Sequence, residues 1–386
     1  MPLTVRGAPI GPVSIAIAGL ASMGGFLFGE DTGQISGLLI MSDFKNRFAT
    51  EVDVNNMPIF NSWLEGLIVS SLSIGTLLGV LIGAPLADKF GRRRAMSIEC
   101  MIFCAGVVIQ VTSFEAWWQI AIGRGVTGVG VGALSAAVPL YQSETVPKEI
   151  RGALVATYQL FITIGILVAY LINLGTNELS TSAQWRIPIA IGIVFAAILG
   201  FGIQLCPESP RWLVSRGRLD EARKSIATVR GARGRKHHDA LSGRGTGGDE
   251  AALRAEQTEA LIGEEQQGII AAIRKEQEMG PASWAACFSP KNKVLYRTLL
   301  GITLQAGQQL TGANYFFYYG ATIFSAVSIS GPFTAQIILG AVNVACTFLG
   351  LYLLERFGRR LPLIFGAIWM AIFLIIYAAI GTSGDP

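Results

Sequence analysis

Apolar runs of about 20 residues recur along nearly the whole chain, and few folds can accommodate them. A helix rises 1.5 Å per residue, so each run is long enough to cross a hydrocarbon layer ~30 Å thick. Nine such runs lie at about 13–40, 64–86, 95–111, 117–141, 153–174, 185–206, 294–319, 333–354 and 361–381. In lipid every backbone N–H and C=O must be satisfied within the spanning structure, and runs of this length do so as helices. Composition agrees: 15% of the 386 residues are charged and 51% are hydrophobic, whereas an ordinary soluble domain carries roughly 25% charge. The expected fold class is an all-α polytopic membrane protein. The opening MPLTVRGAPIG lacks the basic region and cleavage site of a signal peptide, so the first run is expected to stay in the mature protein.

Lys and Arg set the expected orientation. Short loops on one side carry Lys89, Arg92, Arg93, Arg94, Lys148, Arg151, Arg356, Arg359 and Arg360. The opposite side carries Lys45, Arg47 and Arg186. The positive-inside bias puts the first group, the N-terminus and the long 207–293 segment in the cytoplasm. The net charge of +4 is too small to imply a nucleic-acid partner, and none is expected. The cysteines, Cys100, Cys104, Cys206, Cys287 and Cys346, fall in spans or on the cytoplasmic side, where free thiols are expected.

The runs divide the chain into a six-helix unit over 1–206, a cytoplasmic segment over 207–293 and a three-span unit over 294–386. Within the middle segment, PESPRWLVSRGRLDEARKSIATVRG reads as helical and the Gly-rich, basic 231–248 stretch as disordered. The next stretch, EAALRAEQTEALIGEEQQGIIAAIRKEQEM, reads as an amphipathic helix. LADKFGRRRAM before the third run repeats in LLERFGRRLPL before the ninth, so the chain reads as an internal duplication of a six-helix unit. Two such units would hold twelve spans, and nine precede Pro386. Small residues fall four apart at Gly25, Gly29, Gly33 and Gly37, at Ser71, Gly75, Gly79 and Gly83, and at Gly128 and Gly132. Such stripes let helix backbones touch where lipid supplies no hydrophobic drive between helices.

Few ionisable residues lie within the runs: Glu30, Asp31, Glu99 and Arg124. Charge at that depth costs several kcal/mol and marks a pathway or a pair. Asp31 is the natural partner of Arg124. Burial favours a neutral carboxyl and a nearby Arg favours its anion, so a group balanced between them can take and release a proton. A permanent structural pair is the alternative. Glu99 lies near the GRRR cluster and is expected to pair or snorkel there. Glu30 points about 100° away from Asp31 on a helix, so the two cannot face one partner; a functional and an incidental role both stay open for it. Amides at membrane depth, Gln159, Gln308, Gln309, Asn314 and Asn343, lie with the rings of Phe316, Phe317, Tyr318 and Tyr319. Together they suit a neutral polyhydroxylated ligand, with amides for hydroxyls and rings for the apolar face. Interhelical hydrogen bonding is the alternative for any single amide.

Several long motifs in order resemble the sugar porters of the major facilitator superfamily, and specifically fungal hexose transporters. They are GEDTGQISG, DKFGRRR, GRGVTGVGVG running into PLYQSETVPKEIRG, YQLFITIGILVAY, PESPRWL, QQLTGANYFFYYG and ERFGRR. The resemblance implies that fold, with a six-helix N-terminal bundle, a cytoplasmic helical insert and an incomplete, three-helix C-terminal bundle. It implies proton-coupled transport of a monosaccharide, glucose or a related hexose, by alternating access in the plasma membrane. Partners are then the sugar, the proton and the lipid bilayer. Gln159, Gln308, Gln309, Asn314 and Asn343 match the family's sugar-binding positions, Asp31 its proton-coupling acid and Arg124 that acid's partner. Tyr318 and Tyr319 match an outer gate. Asp88, Arg92, Glu144, Arg151, Glu208, Arg211, Glu355 and Arg359 match a cytoplasmic salt-bridge network that holds the halves together when the carrier faces outward. Two departures stand out: position 30 is Glu where many relatives have Tyr, and the family's spans ten to twelve do not appear. A transporter-like glucose sensor and an inactive fragment of a twelve-span carrier are the alternatives. An enzyme is not expected, nor a cofactor or metal, since the histidines, His237 and His238, sit in the Gly-rich stretch and no phosphate-binding loop occurs.

Overall fold

Apolar runs free of helix-breaking clusters become long helices. A computed structural model of the chain describes residues 3–5, 8–10, 12–53, 56–148, 150–230, 248–278, 284–290, 293–326 and 331–383, with the side chains at 3–12, 248–256, 284–285, 326, 355 and 380–383 excluded. The first unit holds α1 (Pro12–Leu38), α2 (Ser42–Phe48), α3 (Ser62–Phe90), α4 (Arg92–Val111), α5 (Trp117–Thr145), α6 (Arg151–Asn177) and α7 (Ala183–Leu205). The middle segment holds α8 (Pro210–Ser215), α9 (Leu219–Val229) and α10 (Gly248–Glu278). Then come α11 (Val294–Leu310), α12 (Ala313–Ala326), α13 (Pro332–Phe357) and α14 (Arg360–Ser383). Two small antiparallel hairpins pair Leu3–Val5 with Ala8–Ile10 and Glu51–Val52 with Pro58–Ile59. The Gly-rich 231–247 stretch, with His237 and His238, lies outside the described residues.

Among the described residues eight helices are long and apolar enough to cross a membrane: α1, α3 to α7, α13 and α14. The expected single span at 294–319 is instead two helices of 17 and 14 residues, α11 and α12. Gly312 separates them with φ +73°, a left-handed conformation that glycine adopts without steric cost and that ends a helical ladder. The amphipathic stretch after the Gly-rich segment forms α10, which buries Ile262. Ion pairs Arg223–Glu259 (2.9 Å) and Arg230–Glu265 (2.7 Å) hold it to α9 and its C-cap residue.

The small-residue stripes are the helix contacts. A Cβ on Gly75 of α3 would run into the Gly125 carbonyl of α5, and one on Gly29 of α1 into the Ile162 carbonyl of α6. At the end opposite the Arg-rich loops, α2 folds across the bundle. Phe44 and Phe48 are buried there against Trp185, with ring centroids 5.9 and 5.4 Å away. The Trp185 indole N–H donates to Asp43 Oδ2 at 2.9 Å.

Every hydrogen bond described between the six-helix unit and α11–α14 lies toward that same end. Ser36 Oγ accepts from the Ala321 N–H (3.0 Å) and from the Gln336 amide, Thr322 Oγ1 meets Glu65 Oε1 at 3.4 Å, and the Tyr170 hydroxyl donates to the Phe317 carbonyl at 3.4 Å. α14 exposes its apolar side chains, Phe365 and Trp369 at 67% each, as a helix facing lipid does.

Replacing Gly29 or Gly75 with Val should destabilise the bundle by about 1–3 kcal/mol through overpacking. Gly66→Val, where a Cβ meets nothing within 4 Å, should stay near neutral. Thermal unfolding of detergent-solubilised variants reads the difference.

Candidate functional site

Three groups of candidate residues take up different places in this frame. The first is inside the six-helix unit. Arg124 on α5 and Asp31 on α1 are 0% and 1% exposed, and Arg124 Nη1 lies 3.6 Å from Asp31 Oδ1. That oxygen also accepts from Gln34 Nε2 at 2.6 Å, while Asp31 Oδ2 has no hydrogen-bond partner. Arg124 Nε donates to the Ile68 carbonyl of α3 at 3.1 Å, and its two terminal nitrogens make no hydrogen bond. A structural Arg–carboxylate pair is commonly a two-pronged fork. This one is a single, long contact, so each partner keeps unused hydrogen-bonding capacity while buried.

Glu30 and Asp31 diverge as their helical spacing requires. Asp31 faces α5, and Glu30 faces α7, its Oε2 3.2 Å from where a Cβ on Gly192 would sit. Glu99 on α4 overturns its expected pairing with the GRRR cluster. It is 0% exposed and neither carboxyl oxygen has a partner. Its backbone carbonyl abuts Gly130 of α5, and Arg93 of the cluster reaches instead to the Gln204 carbonyl at the end of α7.

The second group is at the Arg-rich end. Arg92 donates to both oxygens of Glu144 at 2.9 and 3.1 Å and to Asp88 Oδ1 at 3.0 Å. Glu208 accepts from the backbone N–H groups of Arg92 (3.0 Å) and Ser209 (2.9 Å), and the Ser209 hydroxyl donates to Glu144 at 2.6 Å. Ser209 thus ties the two carboxylates together while capping α8, where its Oγ accepts from the Trp212 N–H. Arg211 pairs with Glu276 and so fastens α10 to α8 within the middle segment. Arg151 donates to the Val146 carbonyl at 3.3 Å, and Arg359 is exposed; neither joins this cluster. The Glu355 side chain lies outside the described residues. A cavity of about 320 Å³ opens among Asp88, Arg92, Glu144, Arg211, Trp212 and Arg216.

The third group flanks the Gly312 break. Asn314 Nδ2 donates to Gln309 Oε1 at 2.6 Å across it, and Gln308 and Gln309 are exposed. Gln159 on α6 is exposed and Asn343 on α13 half-buried, and the structure draws no side-chain hydrogen bond between either and the first three. Tyr318 and Tyr319, half-buried on α12, pack against the core of the six-helix unit.

A family model described as "Sugar (and other) transporter" matches residues 17–385. The chain belongs to this sugar transporter family. Relatives include a high-affinity fructose transporter of Schizosaccharomyces pombe, 41% identical over 96% of this chain and 65% of its own length. A low-affinity glucose transporter of Saccharomyces cerevisiae is 39% identical over 94% of this chain and 59% of its own. The chain therefore spans about three-fifths to two-thirds of the length of these relatives. Among solved structures, a double-Trp mutant of the xylose transporter XylE superimposes with a TM-score of 0.72 at 25% identity, covering 90% of this chain and 70% of that one. The partially occluded inward-open form of E. coli XylE gives 0.69 at 23% identity. The fold is that of the major facilitator superfamily, as the motif resemblance implies.

Sequence reasoning missed Gln34, Ser209 and Glu276. The first two stood in plain view: Gln34 is three residues from Asp31, hence on its helix face, and Ser209 precedes the Pro that opens a helix. Glu276 had no local signal, because its partner Arg211 lies on another helix.

Burial pushes the Glu208 carboxyl above its ordinary value of 4.5, opposed in part by the N–H groups it accepts from. A raised folded-state value means that its contribution to stability is complete below 4.5 and is withdrawn as pH rises through the folded value. Glu208→Gln should therefore flatten the fall in thermal stability across mildly acidic pH, read as melting temperature against pH beside the parent chain.

Proposed function

We propose that this member of the sugar transporter family moves a hexose across the plasma membrane together with a proton, by alternating access, with its N-terminus in the cytoplasm. The reading assigns 1–206 to an N-terminal bundle, 207–293 to a cytoplasmic helical domain and 294–386 to part of a second bundle. The observation that carries it is the loose Arg124–Asp31 contact, one oxygen at 3.6 Å with the other unpartnered, buried inside the six-helix unit. A pair held so loosely can exchange one bond for a proton without rebuilding its surroundings. The fold shared with XylE, a proton:xylose symporter, supports the same reading.

In this mechanism an external proton neutralises Asp31 and cancels its attraction for Arg124, which keeps its bond to the Ile68 carbonyl. Sugar hydroxyls meet Gln159, Gln308, Gln309, Asn314 and Asn343. Tyr318 and Tyr319 close over them from the outside, and α12 docks on Ser36. The clustering of inter-half hydrogen bonds at the outer end supports reading this conformation as closed outward. Toward the cytoplasm, Arg92, Glu144 and Asp88 of the first half stay linked to one another and to Glu208 just beyond it, while Arg359 of the second half stands exposed. That arrangement supports a network whose bonds between the halves open as the carrier turns inward.

Labelled hexose uptake in cells lacking their own carriers tests the proposal, with surface expression confirmed and acid compared with alkaline medium. Acid-stimulated accumulation is expected. Asp31→Asn should abolish accumulation against a gradient and leave sugar exchange; accumulation at the parent level would end the coupling role. Gln309→Ala should raise the apparent KM several-fold, since one hydrogen bond is worth about 1 kcal/mol. An unchanged KM would remove Gln309 from the binding site. Surface-expressed protein that moves no hexose would refute transport by this chain.

A further inference from the structure

Three carboxyl groups and one guanidinium occupy the buried centre of the six-helix unit. Asp31 takes the only guanidinium among them, Arg124. Glu30 and Glu99 are 1% and 0% exposed, and none of their carboxyl oxygens has a hydrogen-bond partner. An uncompensated anion at such depth costs several kcal/mol, and ionisable groups kept there line proton and ion routes. Neither residue has a place in the transport scheme above.

Their positions form a series. Glu30 is bonded in sequence to Asp31. It lies one turn from Phe26, whose ring packs on Phe195 of α7 at 4.4 Å. Its Oε2 and the Phe103 ring of α4 share the notch that Gly192 leaves on α7, each 3.2 Å from the position of the missing Cβ. Glu99 is one turn before Phe103 on the same helix, toward the Arg-rich end, and the backbone of both meets Gly130 of α5. The acids thus step from the Arg124 level toward the end that carries Arg92. Other groups face them sparsely. α5 presents Arg124 and α6 presents Tyr158, whose buried hydroxyl has no partner. α4 itself adds Cys100 and Cys104, and α7 has no titratable side chain from Ile187 to Gln204.

We propose that Glu30 and Glu99 carry the coupling proton inward from Asp31. The proposal rests on the transport reading above and extends it. Each step breaks one O–H bond and forms another. As Arg124 draws the negative charge back onto Asp31, the Asp31 proton passes to Glu30, the Glu30 proton to Glu99, and the Glu99 proton to water at the cytoplasmic end. No other reactant is consumed. The side chain at Gly192 is absent so that the Glu30 carboxyl has room beside Phe103.

The full chain in liposomes, with a pH dye inside and acid and glucose outside, provides the test. E30Q and E99Q should each lower the ratio of proton to sugar entry several-fold, and E30D should restore part of it, which a purely structural role would not do. A parent-level ratio in either Gln variant overturns the relay. Infrared difference spectra across an acid step give an independent readout, with the protonated-carboxyl bands assigned by their loss in E30Q and E99Q. Both bands should respond to the step, and bands that stay fixed overturn the proposal even in vesicles where no sugar moves. Failure of the transport reading shows separately, as absent uptake or an Asp31→Asn variant that still accumulates sugar.

Discussion

Direct contact between helix backbones is the constraint on which the rest depends. Lipid gives helices no hydrophobic reason to associate, so attraction comes from dispersion at close range and from polar groups with nowhere else to turn. The four-residue spacing of glycines on α1 and α3 lets α6 and α5 approach until carbonyl oxygens occupy the space of a side chain. That closeness buries Arg124 and Asp31 between the helices. Burial in turn gives their contact its meaning, because a charge away from bulk solvent depends on the groups the helices bring to it.

The same logic separates the two polar regions of the first unit. At the Arg-rich end, Arg92, Glu144, Glu208 and Ser209 satisfy one another with several short bonds, and water is at hand for the remainder. In the centre, Asp31, Arg124, Glu30 and Glu99 are short of partners. One region is a fastening and the other is a set of groups held away from their lowest-energy bonding. The transport proposed above needs both, a rigid part that moves as a body and a site whose bonds can be exchanged.

Much of this was legible in the sequence, for identifiable reasons. Apolar runs report length and the absence of charge, which in lipid nearly determine helix positions. Small-residue stripes report contact faces, and the stripes on α1 and α3 meet α6 and α5 as their spacing implies. The Asp31–Arg124 pairing followed from scarcity, with one cation for few acids. The break at Gly312 did not follow, because an apolar run conceals a single left-handed residue. Glu99 was misjudged for a similar reason. Linear distance from GRRR suggested a partner, but Arg93 reaches instead to the Gln204 carbonyl and the Glu99 carboxyl is left buried without one. The Arg211–Glu276 pair joins helices separated by the Gly-rich stretch, and no local pattern announces it.

The interrupted helix has a consequence for where this surface can stand. A helix that ends leaves its last carbonyls and the next helix's first N–H groups without ladder partners. Hydrocarbon cannot satisfy them, so such a seam is tolerated only against protein or an aqueous cavity. Thr311 and Gly312 recover some bonds by tight turns back to the Gln308 and Gln309 carbonyls, and the Asn314 amide covers the Gln309 side chain. In a membrane such a seam is stable where it faces protein or an aqueous cavity. There the amide side chains are joined by main-chain acceptors from one helix and by the partial positive charge at the start of the next. The donor and acceptor surface at that point is built as much from broken backbone as from side chains.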